Sequence, residues 1–485
     1  MLLKLRQALI QDKIHFFILS LLLVGIVSSK FLMSLGMMLG GLNLFLVADF
    51  RGNFIELKNN KFFLFLFLFY LLHLAGMFWT DDITHGFDDL RVKASLIAIP
   101  LIIWSKPIPF ASTIRNLFLL FVLTLTVTSI YNFTIYAFFR EGFELNDIRD
   151  LSRFGSHIRY GILIAIGIPV LIELKSYYPK WKYLFLLVGL WFLFYSYYSQ
   201  VLSGIIAVLI VVFGTILWKL FNANKYIWGL GIISIFIVLT ASTILYLMLP
   251  IKYKGTSNQN YFLLKEKWGK RSDIPFDSLD LRKQRLSNTL ERYLLSKNLP
   301  LSGVGVIKLS IQDIRNIELG YADINETKSG LIGRLYGVRF QIHNANNPNG
   351  HSILERIEYW KTGWEVIKEN WMFGVGTGDK KIAMEEMYER KDSKLLPERR
   401  LRAHNSYITF CLTFGLFGLF FFCYILFNFL KFQLKNKSLL GFLFICVTII
   451  TFIFEDSLET QMGVSFFAFF FALFSRKIQT EELNA

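Results

Sequence analysis

The chain has 485 residues, 54% of them hydrophobic, and a mean hydropathy of +0.46, whereas soluble domains carry roughly 45–50% apolar residues. The excess lies in blocks close to the ~20 apolar residues a bilayer requires, which excludes an ordinary soluble globule. A formal net charge of +16 does not point to nucleic acid: membrane proteins collect Lys and Arg in cytoplasmic loops, and neither zinc-finger spacing nor a strand-borne aromatic pair is present.

In chain order, apolar runs predict an all-α polytopic protein of about twelve transmembrane helices. The first nine cover residues 14–29, 31–48, 62–79, 94–104, 116–139, 158–174, 183–199, 201–218 and 226–249, and three more follow at 405–430, 438–454 and 458–475. The first block reads as a helix rather than a cleavable signal. The fourth is short for about 30 Å of hydrocarbon and is compatible with a tilted, broken or re-entrant segment. Cys411, Cys423 and Cys446 fall inside predicted helices and have neither metal-ligand spacing nor a disulfide framework.

Charge orients these spans. Lys4, Arg6 and Lys13 place the N-terminus inside. The remaining inside segments then hold Arg51, Lys58 and Lys61; Lys106 and Arg115; Lys175, Lys180 and Lys182; Lys219 and Lys225; Lys431, Lys435 and Lys437; and Arg476 and Lys477. The short outside segments are acidic, with Asp81, Asp82, Asp88 and Asp89 in one and Glu455, Asp456 and Glu459 in another. This is the positive-inside pattern, and it puts both termini in the cytoplasm.

Three segments result: spans one to nine in 1–250, one large outer loop in 251–403, and spans ten to twelve with a cytoplasmic tail in 404–485. The loop holds 27 Lys and Arg against 19 Asp and Glu. Long translocated loops do not follow the charge rule, so the excess suits either an anionic substrate or headgroup or simply a soluble surface. Within it, 279–295 reads as a helix with alternating charge and 342–350 as a turn-rich break. Residues 354–369 space Ile357, Trp360, Trp364 and Ile367 along one helical face suited to the membrane surface.

The sharpest local signal is Arg402-Ala-His404-Asn405-Ser406-Tyr407, where the polar loop re-enters the membrane, followed by Gly415 and Gly418. An imidazole has an ordinary pKa near 6.5 and serves as a base close to neutrality. Gly415 and Gly418 share a helical face and permit close helix approach. The bland alternative is an interfacial His that caps a helix.

His404-Asn405, Gly415 and Gly418 at this spacing resemble the signature of the O-antigen ligase and polymerase family, polytopic GT-C-type glycosyltransferases of bacteria. Gly374-Val-Gly376-Thr-Gly378-Asp379, the pair Arg356 and Trp360, Trp79-Thr80-Asp81-Asp82, Lys93-Ala-Ser-Leu and Pro100 also resemble members of the group. The resemblance implies metal-independent, inverting transfer of a glycan from an undecaprenyl-diphosphate carrier at the outer side of the inner membrane. No cofactor is implied. His404 would activate the acceptor hydroxyl and arginines would bind the diphosphate. Guanidinium forks hold phosphate oxygens bidentately without titrating, and neutralising charge on the leaving group is a transition-state effect.

Arg153 and Arg159, flanking His157 at the outer mouth of the sixth span, are the first candidates for that clamp, with Arg402 and Arg356 as others. A charge at a helix mouth can instead merely snorkel. Many family members carry a Ser-Arg pair near the start of the eighth span, where this chain has Val201-Leu202-Ser203-Gly204. Arg334, Arg339 and Arg356 are the possible replacements. Gly376 and Gly378 could let backbone amides approach phosphate or simply form a turn. Glu455, Asp456 and Glu459 could orient an arginine or His404, or be solvated loop acids. No cluster of His and carboxylates suggests a metal. The acceptor is lipid A core for a ligase, which the motif favours; it is a second glycan for a polymerase, or a protein Ser or Thr for an O-oligosaccharyltransferase. The contrasting class is a transporter or flippase of the same lipid-linked glycan, and membrane lipids are partners in every case.

Overall fold

A computed structural model describes residues 2–47, 57–104, 111–143, 145, 148–249, 261–281, 284–325, 327, 336–339, 342, 348–349 and 352–476. Arg51, Lys106, Arg334, Lys477 and most of 342–350 lie outside the described residues. Among the described residues the chain is helical, and one isolated bridge, Leu279 to Arg285, stands in for extended pairing.

Among the described residues, seven helices are long and apolar enough to cross a membrane: Gln11–Ser28, Lys61–Trp79, Ser112–Phe138, His157–Tyr177, Leu202–Asn222, Tyr226–Met248 and Ser406–Lys435. Three shorter apolar helices, Lys30–Phe45, Leu439–Phe454 and Gln461–Phe474, occupy other expected positions. The predicted spans at 94–104 and 183–199 correspond to the ten-residue helix Ser95–Trp104, with Pro100 inside it, and to Lys182–Tyr198. Ten residues rise only about 15 Å, half the hydrocarbon thickness. All three cysteines are free thiols.

The chain forms two compact units. The first comprises 1–226, 363–387 and 402–485. Its interior is built from phenylalanine, with Phe429 stacked on Phe471 at 4.2 Å between centroids. Helix Gln461–Phe474 is buried almost all round, from Val464 to Phe474. The Phe runs that hydropathy alone assigns to lipid contact are therefore, in this helix, the packing core. Between membrane helices there is no water to expel, so van der Waals fit and small residues decide association. Helices His157–Tyr177 and Leu202–Asn222 illustrate this: a Cβ on Gly161 would sit 3.0 Å from Gly204 Cα.

The helix after His404 is broken. Gly415 has φ 66° and ψ −164° inside Ser406–Lys435, a region open essentially to glycine alone. Segment 371–376 fills the break: Leu416 N donates to Trp371 O at 2.8 Å, Val375 N to Leu412 O at 2.9 Å and Gly376 N to Thr413 O at 3.0 Å. The close approach expected at Gly415 is thus made by a loop rather than a second helix, while Gly418 packs against Phe410 and Phe414 of its own helix. A Cβ on Gly415 would collide with the Met372 carbonyl. Gly415→Ala is expected to destabilise the protein by about 3 kcal/mol, read as a lower melting temperature in detergent.

The second unit comprises 227–362 and 388–401. Helix Tyr226–Met248 buries only Gly229. A small helical cluster follows, with Trp268, Leu286, Leu290, Tyr293, Leu294 and Ile317 at its centre. The helix expected at 279–295 starts later, at Leu286, and ends at Ser296. Ser310 and Asp313 form a capping box for helix Ile311–Glu318. Burial alone would raise the Asp313 carboxyl; Lys297 and Ser310 bring it down to about 2. In helix Ser352–Glu369 the buried stripe is Tyr359, Thr362, Gly363, Val366 and Ile367, whereas Trp364 is exposed. The expected face through Trp360 and Trp364 is rotated because Tyr359 reaches Arg399 O at 3.0 Å and Gly363 admits Ile408 and Met384.

Candidate functional site

His404 sits in the left-handed backbone region, with φ 49°, a conformation that is uncommon for a non-glycine residue. The next residue explains how it is held there. Asn405 is the N-cap of Ser406–Lys435, and its Oδ1 accepts from Tyr407 N at 3.0 Å and Ile408 N at 3.1 Å. The His-Asn pair is therefore one device: the Asn caps the helix and the His is turned off its end. Asn405→Ala is expected to cost about 1 kcal/mol of stability, and Asn405→Asp to retain most of it, as thermal unfolding would show.

Opposite His404 lies the turn 455–460. Ser406 Oγ donates to Glu455 O at 3.1 Å. Asp456 is fully buried and meets two partners: Arg402 Nε at 2.8 Å from Oδ2 and His404 Nδ1 at 3.5 Å from Oδ1. Isolated burial of a carboxylate is costly, and the guanidinium and imidazole offset that cost. His404 is 22% exposed at its side chain, so its ring is open on one side and backed by a carboxylate on the other. The same turn reaches the sixth predicted span, where Arg159 Nη1 donates to Thr460 Oγ1 at 2.9 Å. Glu455 and Arg402 both lie within electrostatic range of Arg159.

Arg159 also lines an apolar cavity open to solvent, about 590 Å³ with its open part included. Gly155, Ser156 and Ser457 line it too, and Leu163, Met462 and Phe467 are among its apolar walls. Ser457 follows Asp456 directly, so the turn that holds the His404–Asp456 pair also supplies a wall of the cavity.

The other expected residues are placed differently. Arg153 is exposed, its guanidinium 5.0 Å from the Phe143 ring centre. His157 lines a separate space of about 210 Å³ with Tyr160 and Tyr195. Arg339 and Arg356 belong to the second unit, where Arg339 Nε donates to Leu249 O at 2.9 Å. Gly376 and Gly378 press against Thr80, Gly76 and Asp82, where a Cβ would collide; they serve close backbone packing at this point. In Val201-Leu202-Ser203-Gly204, Gly204 is taken up by its crossing with Gly161, and Arg402 brings positive charge to the carboxylate that His404 meets.

The fold also draws His404 and the acids of the 455–460 turn into a His–carboxylate cluster, which the sequence does not suggest. Ligating atoms of His404, Glu455 and Asp456 lie within 4.8 Å of one another, close enough to hold a cation. Arg402, already on Asp456, supplies positive charge to the same carboxylate. A second feature invisible in sequence is a buried four-membered ion cluster of Asp89, Lys93, Lys380 and Glu459; the only local hint is the i,i+4 spacing of Asp89 and Lys93.

A family model described as O-antigen ligase matches residues 183–423, a stretch that runs from the seventh predicted span through the His404-Asn405 motif and the Gly415 break. The chain belongs to the O-antigen ligase family. No curated protein matches the chain. Membership makes this O-antigen ligase family protein a multi-pass membrane protein of lipopolysaccharide biosynthesis, with O-antigen ligase/polymerase-type glycosyltransferase activity and with lipid-linked glycans as substrates.

Proposed function

We propose that the protein transfers a glycan from an undecaprenyl-diphosphate carrier to an acceptor hydroxyl, with lipid A core as the favoured acceptor. The observation that carries this reading is the juxtaposition of His404, backed by buried Asp456, with Arg159 at an apolar cavity. The cavity would take the proximal prenyl units, and Arg159 and Arg402 the diphosphate. His404 would accept the acceptor hydroxyl proton as the oxygen attacks the anomeric carbon. The bond from that carbon to the diphosphate breaks, and the leaving group carries its electron pair onto phosphate oxygens faced by two guanidiniums. Asp456 would hold the imidazole ring and stabilise the imidazolium as it forms, as a carboxylate does for a base histidine elsewhere. One displacement inverts the anomeric centre, and the two guanidiniums do the electrostatic work without a metal. The site would face the periplasmic side of the inner membrane, with both termini cytoplasmic and an architecture of GT-C type.

The test is in vitro transfer with purified protein and a lipid-linked glycan, offered lipid A core, a second glycan or a protein. Product on lipid A core supports the ligase, product on glycan or protein reassigns the acceptor, and no product on any of the three rejects the transferase reading.

A further inference from the structure

Asp89, Lys93, Lys380 and Glu459 take no direct part in the transfer described above, yet they close a square. Lys93 Nζ donates to Asp89 Oδ1 at 3.0 Å and Glu459 Oε1 at 2.8 Å. Lys380 Nζ donates to Asp89 Oδ1 at 3.1 Å and Glu459 Oε2 at 2.6 Å. Lys93 has no exposed side-chain surface and the other three have little. Burial alone would raise both carboxyls; the ammonium groups of Lys380 and Lys93 hold them below the ordinary range. The two carboxylates in turn raise Lys380 against its own burial. The square pairs two ammonium groups with two carboxylates.

Such a network is a poor way to gain stability, because hydrophobic side chains of similar volume often do as well. What it provides is fixed geometry between three stretches: helix Ile83–Lys93, the start of helix Lys380–Arg390, and the turn holding Glu459. Glu459 N donates to Asp456 O at 2.9 Å. One short turn therefore joins the square to Asp456, which meets Arg402 and His404, and to Thr460, which accepts from Arg159. On the far side the square is anchored in turn: Asp379 accepts from the backbone N–H of Asp81 at 2.9 Å and of Asp82 at 2.8 Å, and Thr377 donates to His73 O at 2.6 Å.

Resting on the functional reading above, we propose that Lys93 and Lys380 are positioning residues for glycan transfer: through Glu459 they fix the 455–460 turn, so that Asp456 and Thr460 hold His404 and Arg159 in register with the donor. The role is distinct from donor binding, because both ammonium groups are spent on the square.

The experiment uses the full chain in lipid nanodiscs, undecaprenyl-diphosphate-linked glycan, and the acceptor used by the wild type in the three-way assay. The pair Lys380→Met with Glu459→Gln removes one charge of each sign and leaves Lys93 on Asp89. Its melting temperature should stay within a few degrees of wild type and its donor KM within about threefold, while kcat falls on the order of 10²-fold, the scale of a 1 Å misplacement. Lys380→Arg, which keeps the charge, should recover most of kcat. If the pair does not fold, Glu459→Asp shortens the arm with the charge kept, and the same split is expected. Wild-type kcat in these variants overturns the proposal, and so does a raised donor KM with kcat unchanged. A wild type that transfers nothing sinks the site reading and this proposal together, whereas an active wild type matched by its variants sinks this proposal alone.

Discussion

Replacing His404 with alanine is expected to lower kcat for glycan transfer by about 10²–10⁴-fold, the range of general-base catalysis, or about 3–5 kcal/mol of barrier. Donor binding and the fold should persist, because Asn405 still caps the helix and Arg402 still meets Asp456. The ring itself is 22% exposed at the side chain, so its removal opens no large interior cavity. Measuring transfer and carrier flipping side by side separates the reading from its main competitor. A flippase has no need of a base and would keep its flux; a scaffold would show no change in either assay.

Arg159→Ala is the second substitution with a large expected effect. Arg159 lies at the apolar cavity and within electrostatic range of Arg402 and Glu455. Losing a preorganised donor aimed at developing charge costs on the order of 10²–10³-fold in rate. Because a diphosphate also binds in the ground state, donor KM should rise as well, which distinguishes this variant from His404→Ala. Arg159→Lys should recover little, since an ammonium lacks the planar fork and its bidentate fit. Arg153→Ala, with its guanidinium over Phe143 and exposed, should leave kcat/KM within about threefold, the scale of a rim charge. An equal loss in both variants would restore the original Arg153–Arg159 clamp.

Much of the architecture is legible in the chain because bilayer thickness imposes a length on apolar runs. The helix ends near 157, 177, 226 and 406 were readable on that ground. What hydropathy cannot tell is which apolar helix is inside. Gln461–Phe474 and Tyr226–Met248 read alike as runs, yet one is buried nearly throughout and the other buries only a glycine. Lipid and packed phenylalanine are equally apolar surroundings, so the distinction rests on shape.

At the site, residue types single out His404 and the acids of the last turn as candidates, but not which groups they meet. Lys93 and Glu459 are 366 positions apart and Lys380 and Asp89 are 291 apart, separations at which no local periodicity operates. Arg153 and Arg159 read alike in sequence, yet only Arg159 lines the cavity while Arg153 lies over Phe143, because proximity in sequence is not proximity around a helix mouth. The Gly415 break was hidden for a different reason. A glycine in an apolar helix reads as a packing contact, and only the backbone shows that it takes a conformation closed to other residues.

The most direct test is the structure of the inactive His404→Ala protein with intact undecaprenyl-diphosphate-linked glycan bound. The diphosphate should lie within hydrogen-bond reach of Arg159 and Arg402, with the first prenyl units against Met462 and Phe467 and the anomeric carbon facing position 404. A diphosphate held instead by Arg153 or Arg356, with the cavity at Arg159 empty, would contradict the account.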